Sequence, residues 1–161
     1  MKLRYRTPAL AMLAVAASLC AASLWAAEDP FIGTWKLNLA KSKYNPGPPP
    51  QSQTYQYEPS GANGVKFTAS GVDARGNPIH IEYTGAFDGK EFPVSGNRNS
   101  NKVWLKRIDP YTVEGENRQG GKVIRSFRRV VSKDGTLTVT EKGTDVNGVV
   151  SENVAVYDRQ E

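Results

Sequence analysis

From Gly33 onward, apolar and polar residues alternate with a period of two in short runs, and no stretch carries apolar residues at helical spacing. The alternation predicts strands over 34–39, 53–58, 64–71, 79–87, 91–94, 102–108, 111–117, 122–131, 136–142 and 149–159. Turn residues separate them: Arg75-Gly76-Asn77, Asp88-Gly89, Asp109-Pro110, Gly120-Gly121, Asp134-Gly135 and Asn147-Gly148. Connections this short make consecutive strands spatial neighbours, so the sheet is a meander. A twisted meander with one apolar face buries that face, and loses its edges, by curling shut. The expected fold is all-β, an antiparallel up-and-down β-barrel of eight to ten strands forming one domain.

One connection differs from the others. Asn45-Pro46-Gly47-Pro48-Pro49-Pro50 can form neither helix nor central strand, so it is expected as an extended surface crossing at the base or mouth of the barrel. It either partly covers the mouth or has no part in a site.

The last hairpins allow a parity argument. An even-length loop around Asp134-Gly135 would put Ile124, Ser126, Arg128 and Val130 on the same face as Leu137, Val139 and Glu141. That is the apolar face, which makes Arg128 a candidate inward arginine. A guanidinium inside a barrel needs a partner. Glu141 on the neighbouring strand would give a structural ion pair, and an anionic ligand would give a binding site.

Other chemistry is sparse. His80 is the only histidine and is expected at the surface beside Glu82, which makes neither a metal site nor an acid–base dyad. No serine sits in a nucleophile-elbow context, and no glycine loop opens a helix to cradle phosphate. Glu141, Glu152 and Asp158 have no spacing that singles them out as a hydrolytic pair. Trp35 is expected to plug one barrel end as a structural residue. No cofactor and no metal are expected.

The chain opens on Lys2, Arg4 and Arg6, an apolar run over 9–22, and small residues before Glu28 and Asp29, in the order of an export signal. The expected division is a signal peptide over 1–27 and a barrel domain over 28–161. Losing those three basic residues leaves 18 basic against 16 acidic ones and lowers the net charge from +5 to +2. No electrostatic case for nucleic acid survives. Cys20, the one cysteine, falls in the leader, so disulfide and thiol chemistry are not expected in the mature chain. The polar rows Thr112, Glu114, Glu116 and Thr136, Thr138, Thr140 argue against a lipid-facing outer wall. A monomeric, periplasmic or secreted protein that does not span the membrane is expected.

The two ends of the mature chain resemble the lipocalin and fatty-acid-binding-protein superfamily. Phe31-Ile32-Gly33-Thr34-Trp35-Lys36-Leu37 resembles its opening Gly-x-Trp strand. Arg128-Arg129-Val130 before Asp134-Gly135, then Leu137-Thr138-Val139-Thr140 and Val156-Tyr157-Asp158-Arg159, resemble its closing strands. The resemblance implies a barrel with a cavity whose carboxylate ligands are held by an inward arginine and an Arg-x-Tyr on the last strand. Arg128 falls on the first arginine and Tyr157 on the tyrosine, while Ala155 replaces the second arginine and the Pro-rich stretch replaces the family's helical lid. A two-residue Asn147-Gly148 turn would leave Tyr157 outside, whereas an odd-length loop or a bulge would bring it inside.

The expected function is binding of a small hydrophobic or anionic amphipathic ligand in the cavity. Arg128 and Tyr157 would contact an anionic group, and Tyr83, Phe67 and Trp104 would form walls. The alternatives are a side-chain-filled barrel acting as an envelope interaction module and, third, an enzyme using cavity carboxylates. The first needs a cavity of roughly 300 Å3 or more, the second a packed interior.

Overall fold

The computed structural model describes residues 29–161 except residue 146, so the expected signal peptide over 1–27 lies outside the described residues. Eleven strands follow in chain order: β1 (Gly33–Leu37), β2 (Lys43–Asn45), β3 (Ser52–Ser60), β4 (Gly64–Val72), β5 (Pro78–Ala86), β6 (Asp88–Pro93), β7 (Lys102–Asp109), β8 (Thr112–Gln119), β9 (Lys122–Val131), β10 (Thr136–Thr144) and β11 (Val150–Gln160). All pairings are antiparallel, in the order β5-β4-β3-β1-β11-β10-β9-β8-β7-β6. The ends of this ribbon meet at β5 and β6, where the Glu82–Ser95 bridge joins them. The expected up-and-down barrel is present and almost closed. No helix among the described residues is long and apolar enough to cross a membrane.

Two details depart from the sequence reading. The first strand is broken: β1 pairs with the lower part of β11, and β2 with its upper part. Between them a 3-10 turn over Leu39–Lys41 is capped by Asn38, whose side-chain oxygen accepts from the Lys41 amide at 3.2 Å. Asp88-Gly89 is a bulge at the start of β6 instead of a tight turn, with Gly89 at φ +80° supplying the left-handed residue the bulge needs.

The barrel has a packed lower half. Trp35, Leu105, Val113, Leu137 and Val139 are fully buried there. The Trp35 indole N–H donates to the Phe31 carbonyl at 3.0 Å, and the Arg159 guanidinium lies 4.2 Å from the indole ring while donating to the carbonyls of Ile32 and Pro30. Trp35 is thus buried at this end of the barrel, beneath the Arg159 guanidinium. Arg107 seals the same end over Phe31 and Phe87, paired with Asp29. The upper half is open, and there the two longest loops, 46–51 and 94–101, reach the rim.

Candidate ligand-binding site

Turn geometry sets which side chains enter the barrel. Leu137 pairs with Val131, and the Ser132 amide donates to Thr136 O at 2.8 Å, so the β9–β10 loop is three residues, Lys133, Asp134 and Gly135, with Gly135 at φ +80°. An odd loop inverts the parity expected from Asp134-Gly135. Arg125, Phe127, Arg129 and Val131 therefore face in, and Arg128 faces out. Arg128 pairs across strands with Glu114 on the outer surface at 2.9 Å, half its side chain exposed. The inward arginine is Arg129. Trp104 is likewise outside: it lies opposite Glu116, its indole N–H donates to Gly89 O at 2.8 Å, and its neighbours Val103 and Leu105 fill the interior.

The β10–β11 connection is also odd. Thr144 pairs with Val150, and the Asp145 carboxylate accepts from the amides of Asn147 and Val149, closing a five-residue loop in place of a two-residue Asn-Gly turn. Leu137, Val139 and Glu141 consequently lie opposite Tyr157, Ala155 and Asn153, all inward. Tyr157 is fully buried. Glu141 enters the cavity as expected, but its partner is Arg125, at 3.2 Å, and not Arg128. Glu152 and Asp158 are tied to Lys142 and Lys41 on the outer surface, so the three carboxylates do not meet. His80 is exposed, with Nε2 3.8 Å from Glu82.

These orientations line a cavity of about 550 Å3, open at its mouth, in the upper half of the barrel. One wall is aromatic: Tyr157 stacks on Tyr55 at 4.3 Å, Tyr55 meets Phe67 edge-on at 5.0 Å, and Phe67 stacks on Tyr83 at 4.8 Å. Phe67, Tyr83 and Tyr157 thus line the cavity, while Arg128 and Trp104 do not. Pro48, Pro50 and Tyr44, from the Pro-rich crossing and β2, border its mouth.

Arg129 lies low in this space, 6% exposed. One N–H donates to the Tyr83 hydroxyl at 2.9 Å; the guanidinium lies 4.3 Å from the Phe127 ring and 4.7 Å from that of Phe67. Its Nε has no hydrogen-bond partner among the described residues, and neither has the Tyr57 hydroxyl beside it. Phe127 is held in place because β8 offers Gly115 opposite it, where a Cβ would stand 2.3 Å from the ring.

The electrostatics follow from that packing. Burial is the largest influence on Arg129 and opposes its charge, but at the high pH where the arginine could lose its proton Tyr57, Tyr83 and Tyr55 ionise beside it and hold its pKa above the ordinary arginine value. Those phenols are neutral at physiological pH, because burial raises Tyr57 and Tyr83 and pushes Tyr55 up to about 12. The guanidinium therefore rests on dipoles and ring faces with no ionised partner, although it carries five donors. The other inward arginine, Arg125, already has Glu141.

Arg129, Arg125 and Tyr55 escaped the sequence reading. The usable signal was the second alternation, Arg125, Phe127, Arg129, Val131, which carries the only aromatic residue of the strand and fits a three-residue turn at Lys133-Asp134-Gly135.

Solved structures share this barrel. The wild-type fluorescent protein UnaG superposes with a TM-score of 0.54 at 21% identity, over 81% of this chain and 97% of that one. A point mutant of the same protein gives 0.56 at 21% identity, over 82% and 97%. Zebrafish ileal bile acid-binding protein, crystallised with cholic acid, gives 0.49 at 13% identity, over 81% and 99%. No protein-family model and no curated protein sequence matches the chain. At these identities the likeness to UnaG speaks for the fold alone: an antiparallel up-and-down β-barrel.

Proposed function

We propose that this is an exported barrel that binds a small amphipathic anion in its cavity, with the anionic group at Arg129 and the apolar body against Phe67 and Tyr55. The observation that carries the reading is the buried guanidinium that borders a cavity of about 550 Å3 without an ionised partner. A buried charge of that kind is costly, and an incoming carboxylate, sulfonate or phosphate would supply the missing partner through charge-assisted hydrogen bonds. The volume lies within the range of small-molecule sites, and an open upper half disfavours the filled interaction module. Export is supported by the basic and apolar order of residues 1–22.

Native mass spectrometry of the protein purified gently from its own envelope fraction tests this. The expected result is a co-purifying organic acid in the wild type and in Arg128→Met, lost in Arg129→Met. Ligand retained equally in Arg129→Met would sink the assignment of the anion site.

A further inference from the structure

The cavity is built in two chemistries, an aromatic wall below and a polar collar above it. Above the aromatic wall it is lined by carboxamides, among them Gln53, Asn97 and Asn153. Gln53, Asn97 and Asn153 have their oxygens occupied by the protein, whereas the Asn77 NH2 group donates to Asp73 Oδ2 at 3.0 Å. Gln53 Oε1 accepts from the Tyr157 hydroxyl at 2.7 Å, Asn97 Oδ1 from the Asn99 amide at 2.9 Å, and Asn153 Oδ1 from the Asn45 amide at 3.0 Å. In the last two the partner is a backbone N–H, which can only donate, so the amide orientation is fixed by chemistry. What Asn97 and Asn153 retain for a guest is the NH2 group. In Asn97 and Asn153 the accepting end is turned to the scaffold and the donating end is left over. Arg75 and Arg98 at the mouth add donors, beside the Asp73 carboxylate.

An aliphatic acid of the fatty-acid type is poorly matched to this lining, because its tail would pass through the amide collar and leave donors without acceptors. The wall below is stacked aromatic surface, which favours a flat guest. Resting on the anion site proposed above, we infer that the ligand is a rigid aromatic acid bound anion-first, carrying hydrogen-bond acceptors such as carbonyl or ether oxygens at the end remote from its anionic group. The anion pairs with Arg129 low in the barrel, the rings lie along Tyr55 and Phe67, and the acceptor end sits under the NH2 groups of Asn97 and Asn153.

Three probes separate the parts of this inference: 4′-acetylbiphenyl-4-carboxylate, biphenyl-4-carboxylate and dodecanoate, titrated calorimetrically into delipidated full-length mature protein. The expected order of affinity is that order, with the acetyl group contributing up to about tenfold, the scale of one to two good hydrogen bonds. Asn153→Asp preserves the acceptor for the Asn45 amide and removes the donor. It should reduce the advantage of the acetyl probe over the plain one, whatever its uniform effect on anions. Dodecanoate binding as tightly as the aromatic probes, with dependence on Arg129, would overturn the ligand class and leave the anion site standing. Equal affinity of the two biphenyl acids would remove the role of the collar. Failure of all three to bind, or binding indifferent to Arg129→Met, would overturn both this inference and the reading beneath it.

Discussion

Arg129→Met should leave the ligand-free fold as stable as the wild type or more stable, while removing anion binding. Methionine has comparable length, is apolar, and makes favourable contacts with aromatic rings. The substitution gives up one charge-assisted hydrogen bond to Tyr83, about 1.5–3 kcal/mol, and cation–π contact with Phe127 and Phe67, about 0.5–2 kcal/mol. Against this stand the desolvation of an ion with no ionised partner, several kcal/mol, and about 1.5–3 kcal/mol from burying an apolar side chain. The second pair is the larger, so the expected change is between no loss and a gain of about 2 kcal/mol, the range seen when buried ions give way to apolar residues. For a domain of this size that corresponds to roughly 3–5 °C of melting temperature per kcal/mol. Urea and thermal unfolding of delipidated protein measure it; delipidation matters because bound ligand would stabilise only the wild type. Arg128→Met is the comparison, its exposed pair with Glu114 contributing at most about 1 kcal/mol. A loss above about 2 kcal/mol in Arg129→Met would refute the reasoning, because it would make Arg129 a structural keystone.

Two further outcomes follow from the interior. Tyr44, Tyr55, Tyr57, Tyr83 and Tyr157 all have pKa values raised, each chiefly by burial, with Tyr55 at about 12. Folded and unfolded chains are both neutral there below about pH 10, so this stability is present in full; above it the unfolded chain ionises first, and stability falls by up to about 1.4 kcal/mol per tyrosine per pH unit until the folded values are reached. Urea midpoints constant from pH 9 to pH 11.5 would contradict it. Gly115→Ala places a methyl 2.3 Å from the Phe127 ring and 2.8 Å from Trp104 O, and should cost about 1–3 kcal/mol in urea unfolding; an unchanged midpoint would show that Phe127 is free to move.

The barrel was legible because its determinants are local. Period-two runs and glycine turns specify a meander, and a meander with one apolar face has few ways to bury it. The site was less legible because its content depends on parity, which a single turn residue inverts. Both alternations of β9 carry apolar residues and an arginine, so only the length of the turn at Lys133-Asp134-Gly135 decides between Arg128 and Arg129. The same holds for Tyr157, whose inward position follows from Asp145 closing a five-residue loop. Trp104 could not be placed from chemistry alone, since an indole suits either face of a strand. The break between β1 and β2 was hidden because Lys43–Asn45 is too short a run to show alternation.

An anion that meets Arg129 inside the barrel should perturb the guanidinium directly. The most direct test is the Nε–H resonance of Arg129 in delipidated protein, assigned by its disappearance in Arg129→Met and followed while biphenyl-4-carboxylate is added. The account predicts a saturable shift of that resonance, at the same midpoint as the heat of binding, with the Arg128 resonance unmoved. Saturable binding that leaves Arg129 unshifted, or that moves only arginines on the outer surface, would contradict it.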